Sequence, residues 1–398
     1  MTISSALPAL WHETPLIESR ALSQRAGCRI LLKLENLQPS GSFKSRGIGA
    51  LVLSEARLNP AAHFLSSSGG NAGLACVTAA RTLGLPATVV VPESTPPHMI
   101  VKLREAGAED VIQYGETWAE ADAYLRGVVL KGCPGGVYVP PFDEPRIWSG
   151  NATIVPEVQR QLGGVRPAAV VCSVGGGGLF NGVMEGLDGV GWSDVPVLAL
   201  ETRGADSLAQ SLEKGEMVTL PGITSMAKSL GAVRVAERTF EYGVRGNVRS
   251  VVVEDREAAW GCLELARRER ILAEMATGVN VAVYRDEGNN RGTYTHFASW
   301  HVRGTSVYHI TEHGKESMLQ AGNGTCPGSE AHSTQPEPNT LTQTPSRNVI
   351  FKISDRPPDQ PGPVHVADVS PGIMSTPYSS TVPISLARRH TGHSPALL

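Results

Sequence analysis

No stretch of this sequence is apolar for long enough to cross a bilayer. A membrane-spanning helix needs ~20 consecutive apolar residues, and the longest runs here, such as residues 168–174, are far shorter. Charge is also sparse: Asp, Glu, Lys and Arg make up 18% of the chain and the net charge is −3, which leaves no polycationic stripe for nucleic acid. Aromatic residues are 5% and do not interleave with basic ones. The amino terminus shows no basic segment followed by an apolar core, so no secretory leader is expected. The six cysteines (Cys28, Cys76, Cys133, Cys172, Cys262 and Cys326) form no C-x-x-C pair and no metal-ligand spacing. Most lie in apolar stretches, as reduced buried thiols do, and a cytoplasmic protein without disulfides is expected.

What is present is a regular alternation of strand-like and helix-like stretches. At 398 residues the chain can hold two or three domains and bury a large core. After a short helix at 21–26, the apolar run 30–34 is a strand. Strands at 63–66, 87–91, 110–113 and 135–139 then alternate with helices at 49–58, 73–83, 97–106 and 117–129. The series restarts after Pro145. There the pattern predicts a helix at 151–162, a fully buried strand at 168–174, a helix at 179–187, a strand at 197–201, a helix at 207–214, a strand at 250–253 and a helix at 255–268. Repeated βαβ units with right-handed crossovers define a doubly wound α/β sheet in each half. Two such lobes meet at a cleft, the usual place for a small ligand. Near Tyr284 the periodicity stops; prolines and small polar residues dominate, and apolar snatches such as 348–353 stand alone. Residues 284–398 are therefore expected to form a largely disordered tail. Its composition fits an interaction tail and an altered reading frame equally well.

Three segments carry chemistry. The first is Pro39-Ser40-Gly41-Ser42-Phe43-Lys44-Ser45-Arg46-Gly47. Ser40 or Ser42 can cap a helix starting near Phe43, and Gly41 lets the backbone turn into it. Lys44 then sits in the first turn, where the helix dipole disfavours a cation and lowers the amine pKa. The second is Ser66-Ser67-Ser68-Gly69-Gly70-Asn71-Ala72-Gly73, a serine- and glycine-rich loop at a helix start that gathers N–H groups and hydroxyls around an anion. The third is Val174-Gly175-Gly176-Gly177-Gly178-Leu179. Four glycines leave the backbone uncovered for a phosphate, with a helix behind it. It is neither a dinucleotide fingerprint, since Phe180 and Asn181 stand where the third glycine would fall, nor a Walker loop. Alone, each segment also reads as a surface lysine, a capped loop or a tight turn. A phosphate cradle without nucleotide motifs, joined to a perturbed lysine, points to pyridoxal 5'-phosphate.

These three segments resemble the pyridoxal-phosphate enzymes of the tryptophan-synthase-β-like fold (fold type II), and within them the liver-type serine dehydratase / threonine deaminase group. Val139-Pro140-Pro141-Phe142-Asp143, Ile147-Trp148-Ser149-Gly150 and Ile223-Thr224-Ser225-Met226-Ala227-Lys228 extend the likeness over residues 8–283, with a small lobe at about 46–148. The resemblance implies that Lys44 carries the cofactor, that Phe43 packs beside its ring, that Gly175, Gly176, Gly177, Gly178 and Leu179 hold its phosphate, and that Asn71 meets its 3′-oxygen. It implies that Ser67, Ser68, Gly70 and Asn71 grip the substrate carboxylate. It also implies a monovalent-cation site, K+ in kind, at Gly175, Glu201, Ala205, Ser207, Leu230 and Ala232. The implied activity is α,β-elimination of serine to pyruvate and ammonia by a homodimer, with amino acid as substrate and neither nucleic acid nor membrane as partner. A β-replacement enzyme or racemase on the same fold stays open, as does a cofactor-binding relative without turnover. Relatives read Glu-Pro-Ala-Cys-Gly-Ala where this chain has Glu274-Met275-Ala276-Thr277-Gly278-Val279. Their later Val-Val-Cys-Gly-Gly strand, which meets the pyridine nitrogen, has no counterpart after Tyr284.

Overall fold

A computed structural model describes residues 8–284; the expectation of a disordered tail falls, apart from Tyr284, outside the described residues. The chain enters through β1 (Leu16–Glu18), α1 (Arg20–Ala26) and β2 (Leu31–Lys33), with β1 and β2 an antiparallel pair. After α2 (Lys44–Leu58) come β3 (His63–Ser66), α3 (Asn71–Thr82), β4 (Ala87–Val91), α4 (Pro97–Ala106), β5 (Asp110–Gln113), α5 (Trp118–Tyr124), α6 (Leu130–Gly132) and β6 (Gly136–Tyr138). The four strands form a parallel sheet in the order β5-β4-β3-β6. Then α7 (Pro145–Ala152) and α8 (Ile154–Gln161) lead to β7 (Val170–Ser173), α9 (Gly178–Gly189), β8 (Val197–Thr202), α10 (Ser207–Lys214), α11 (Glu237–Gly243), β9 (Val248–Val253), α12 (Asp255–Glu264) and α13 (Met275–Ala282). Here β7, β8 and β9 make a second parallel sheet.

Covered parallel sheets explain the sequence of their strands. In β4, Ala-Thr-Val-Val-Val is buried at every position, as a strand packed on both faces must be. The alanines of α3 let that helix lie close to the first sheet, and its Gly73 leaves no room for a side chain: a Cβ there would stand 1.8 Å from the Ser68 carbonyl oxygen. Each sheet is packed on both faces: the first around Phe64, Val89 and Leu103 and around Leu65, Val90 and Leu125, the second around Leu198, Val251 and Val279, which Tyr284 joins, and around Phe180, Val197 and Ala199.

Several boundaries differ from the sequence pattern, each for a packing reason. Helix α2 starts at Lys44, as expected of a helix beginning near Phe43, and runs unbroken into the stretch expected to be helical from 49, because Gly47 and Gly49 are packing glycines: a Cβ on Gly47 would stand 2.6 Å from the Ile147 carbonyl oxygen. Neither Ser40 nor Ser42 caps it. The cap position is Phe43, the Ser40 hydroxyl lies 2.7 Å from that of Ser45, and the buried Ser42 hydroxyl has no partner. The expected helix at 151–162 is really α7 and α8, joined at Thr153. The helix expected at 117–129 ends as α5 at Tyr124 and widens into a π turn over Leu125–Val129. The strand expected to be fully buried is shorter, and its Val170 and Val171 are half-buried. Among the described strands β7 pairs only with β8, and residues of its other side line a large cavity. Helices α11 and α13 show no signal in the sequence.

Helix α13 is held against α12 by two glycines. A Cβ on Gly261 would meet the Gly278 carbonyl oxygen at 2.1 Å, and one on Gly278 would meet the Ala258 carbonyl oxygen at 2.1 Å. The backbones touch, which fixes where α13 begins.

Candidate active site

Lys44, loop 68–71 and the glycine run 175–178 all line one cavity of ≈ 3680 Å³. The lysine is set by a buried charge cluster two residues on. Arg46 is 0% exposed and forks two carboxylates, Glu35 (Nε to Oε2 2.8 Å, Nη2 to Oε1 2.8 Å) and Glu157 (Nη1 to Oε1 2.6 Å, Nη2 to Oε2 2.7 Å). Lys33 Nζ donates to Glu157 at 2.7 Å, so two cations balance two anions. Removing one member of such a buried cluster costs roughly 3–5 kcal/mol, because the others keep their charge without an answer. The cluster ties β2 and α8 to the first turn of α2, and Lys44 inherits that rigidity.

Lys44 Nζ donates to the Pro141 carbonyl and lies 5.4 Å from the Phe43 ring centroid. Burial pulls its pKa down to about 8, with the Glu274 carboxylate acting against that fall. The direction agrees with the helix-start reading, but its cause is desolvation. The next residue, Phe142, leans on the glycine run: a Cβ on Gly176 would stand 2.4 Å from its ring. One short segment, 141–142, thus touches both the amine and the cradle.

The glycines are needed one by one. Gly177 has φ +101°, a conformation that L side chains rarely adopt, and a Cβ there would lie 1.7 Å from Thr239 Oγ1. The first helical bond of α9 runs from Asn181 N–H to the Gly177 carbonyl, so the N–H groups of Gly178, Leu179 and Phe180 lie outside the ladder at the positive end of a 12-residue helix. Such an end suits a phosphate.

The serine-glycine loop divides its hydroxyls. Ser67 is buried and donates to Asp122 Oδ1 at 2.7 Å, where the Tyr138 hydroxyl also donates at 2.6 Å. Its side chain is therefore engaged behind the loop, away from the cavity that Ser68, Gly70 and Asn71 line. Ser68 Oγ accepts from Gly70 N–H at 3.3 Å. Asn71, the first residue of α3, donates through Nδ2 to Glu274 Oε1 at 2.6 Å. The other Glu274 oxygen accepts from Ser229 Oγ at 2.6 Å. Sequence reading gave no role to Ser229 or Asp122, and it met Glu274 only as the first residue of the segment 274–279 that departs from the relatives' pattern.

Of the residues expected to hold a cation, Ser207 touches Ala232 and Leu230 touches Gly175. Glu201 is fully buried at the end of β8 and accepts from the N–H groups of Leu208 (2.9 Å) and Ala209 (2.8 Å). Burial pushes its pKa up to about 8, against those two hydrogen bonds and with help from Asp206. Ser207 Oγ donates to the Ala232 carbonyl at 2.9 Å, and Leu230 backbone packs on Gly175. Ala205 closes the turn after β8 through its N–H bond to Thr202.

An amine that is half neutral near pH 8, beside a helix end built for phosphate, defines a site for an aldehyde that carries a phosphate. The chain matches the family model for pyridoxal-phosphate dependent enzymes over residues 8–295 and belongs to that family. It is 49% identical over 269 residues to human "Serine dehydratase-like", spanning 68% of this chain and 80% of the relative. It is 45% identical over 278 residues to mouse "L-serine dehydratase/L-threonine deaminase", 70% of this chain and 84% of that one. Among solved structures, a fungal L-serine ammonia-lyase from Rhizomucor miehei superposes with a TM-score of 0.67 at 35% identity, covering 75% of this chain and 91% of the other. The fold is thus the fold-type-II architecture expected from the sequence.

The residues present fit the cofactor. Gly175–Gly178 line the cavity with bare backbone, closely backed by Phe142 and Thr239, and Ser42, whose buried hydroxyl has no partner, precedes Lys44 on the same wall. Uptake of pyridoxal phosphate by the ligand-free protein is expected to speed up as pH rises and reach half its plateau near pH 8, because only the neutral Lys44 amine reacts. Stopped-flow absorbance measures this. A midpoint at the ordinary lysine value of about 10.4 would contradict the burial argument.

Proposed function

We propose that this chain is an L-serine/L-threonine dehydratase that converts serine to pyruvate and ammonia, and threonine to 2-oxobutyrate and ammonia. One observation carries the reading: Lys44, the serine-glycine loop and the glycine cradle line a single cavity. The names and identities of the relatives support it. Bound pyridoxal phosphate supplies an electron sink for the bond cleavages at the substrate. Lys44 Nζ would hold the cofactor, and its amine is the base placed to take the proton from the substrate Cα. Gly175, Gly176, Gly177, Gly178 and Leu179 bind the phosphate at the amino end of α9. Phe43 flanks the ring and Asn71 donates to its 3′-oxygen. Ser68, Gly70 and Asn71 orient the substrate carboxylate, with Ser67 acting through the position of the loop. Release of keto acid from L-serine by the reconstituted full chain tests the reading. Cofactor uptake without keto acid would leave a binding protein in its place.

Glu201, with Gly175, Ala205, Ser207, Leu230 and Ala232, is proposed to hold K+, and the enzyme to work as a cytoplasmic homodimer. A cation beside Glu201 answers a carboxylate that burial otherwise keeps from ionising. KCl is therefore expected to raise the thermal midpoint more than LiCl at equal ionic strength, and Glu201→Gln to erase the difference. Equal midpoints in both salts would remove the site.

A further inference from the structure

We infer that Glu274 is a positioning residue that fixes the orientation of the Asn71 carboxamide and couples it to Lys44. The inference rests on the reading of Lys44 and Asn71 as cofactor contacts. Glu274 stands immediately before α13 and answers two donors at once, Asn71 Nδ2 and Ser229 Oγ, each at 2.6 Å. Those donors come from separate parts of the fold. Asn71 opens α3 on the first sheet. Ser229 lies in the short turn Lys228–Leu230, whose Leu230 backbone packs on Gly175 of the phosphate cradle. A single carboxylate therefore links the serine-glycine loop to the support of the glycine run, and it faces the same cavity as Lys44.

The chemistry of an amide explains why an acid stands there. Asn has a donor end and an acceptor end of nearly equal shape, and only its neighbours decide which way it points. A carboxylate accepts and cannot donate, so it holds the NH₂ of Asn71 and would repel the carbonyl oxygen. One Asn71 N–H is then spent on Glu274 and the second remains to donate to an anionic oxygen in the cavity. A glutamine at 274 would both accept and donate, and would no longer select the orientation. The same carboxylate is the charged group that acts on Lys44, whose Nζ otherwise meets the Pro141 carbonyl and the Phe43 ring.

Full-length protein stripped of cofactor and titrated with pyridoxal phosphate, followed by visible absorbance, tests this with Glu274→Gln, Asn71→Ala and the double variant. Hydrogen bonds to charged groups contribute about 1.5–3 kcal/mol, so Glu274→Gln is expected to weaken affinity roughly 10- to 100-fold. The double variant should be little worse than Asn71→Ala, because both changes remove one coupling. The pH midpoint of cofactor uptake gives a second readout that a purely structural role would not move. It should fall in Glu274→Gln, stay in Glu274→Asp, which keeps the charge, and stay in Ser229→Ala. Additive losses, or an unmoved midpoint in Glu274→Gln, overturn the inference. Should Glu274→Gln fail to fold, Glu274→Asp alone and combined with Asn71→Ala decides: losses that do not add support the role, and additive losses or unchanged affinity overturn it. Lys44→Ala run alongside separates the two levels: if that variant keeps the visible band, the underlying reading fails and not merely the role of Glu274.

Discussion

Lys44→Ala is expected to abolish both keto-acid release and the visible band of the bound cofactor. Proton transfer by a positioned side chain contributes roughly 10²–10⁴-fold to a rate, and Lys44 is assigned the covalent hold on the cofactor as well. The neighbouring candidate cannot substitute, because Lys33 Nζ is committed to Glu157, Gln161 and the Thr14 carbonyl. Folding should survive, since alanine suits a helix start and the Arg46 cluster keeps all its members. Absorbance of the purified variant and pyruvate formation from L-serine measure the outcome. A variant that retains the band and still releases pyruvate would show that another amine does this work.

The core of that reading was legible in the sequence because glycine and lysine report their backbone surroundings directly. Four glycines after an apolar strand have few uses apart from a close approach, and the structure finds Gly177 at positive φ in that place. The strands β3, β4 and β5 and helix α4 fall at the boundaries expected of them, most plainly β4, because a parallel strand buried on both faces shows as a plain apolar run. What escaped was of two kinds. That the helix starting near Phe43 and the one expected at 49–58 are a single α2 was hidden because Gly47 and Gly49 look like helix breakers until Ile147 and Leu10 are packed on them. The carboxylates Asp122 and Glu274 were hidden because their partners lie 55 and 203 residues away in sequence, a distance that no local pattern spans. The cause of the lysine shift was also invisible. Burial depends on what the rest of the chain lays over the amine, whereas the helix dipole could be read from its neighbours.

Gly177→Asp is expected to lower cofactor affinity by at least ~10³-fold in protein that still folds. A second negative charge on the glycine run opposes the phosphate, and two like charges ~4 Å apart repel by roughly 4 kcal/mol at an effective dielectric of about 20. An aspartate there also satisfies the positive end of α9 itself, so the phosphate loses its attraction as well as gaining a repulsion. To this is added backbone strain of about 1–3 kcal/mol at φ +101° and the contact with Thr239 Oγ1. Gly177→Ala carries the strain and the contact without the charge, and should fall between the two. Gly176→Asp meets the Phe142 ring instead, and should combine cofactor loss with a shift in the segment that receives the Lys44 hydrogen bond. Titration of each variant with pyridoxal phosphate, alongside thermal unfolding of the ligand-free protein, separates affinity from stability. Unchanged affinity in folded Gly177→Asp would take the glycine run out of the site.

The touching backbones of α12 and α13 bear on how genetic variation in this chain reads out. Gly261 lines no part of the cavity, and a survey of variants ranked by distance from the chemistry would pass over it. Yet any side chain at Gly261 presses on the Gly278 carbonyl and must push α13 away from α12. The start of α13 is where Glu274 reaches Asn71 and Ser229, so the displacement arrives at the cofactor site as a lost carboxylate contact. A missense change at Gly261 or Gly278 would therefore resemble a binding-site lesion and respond to raised cofactor supply, although it alters no residue that touches the ligand.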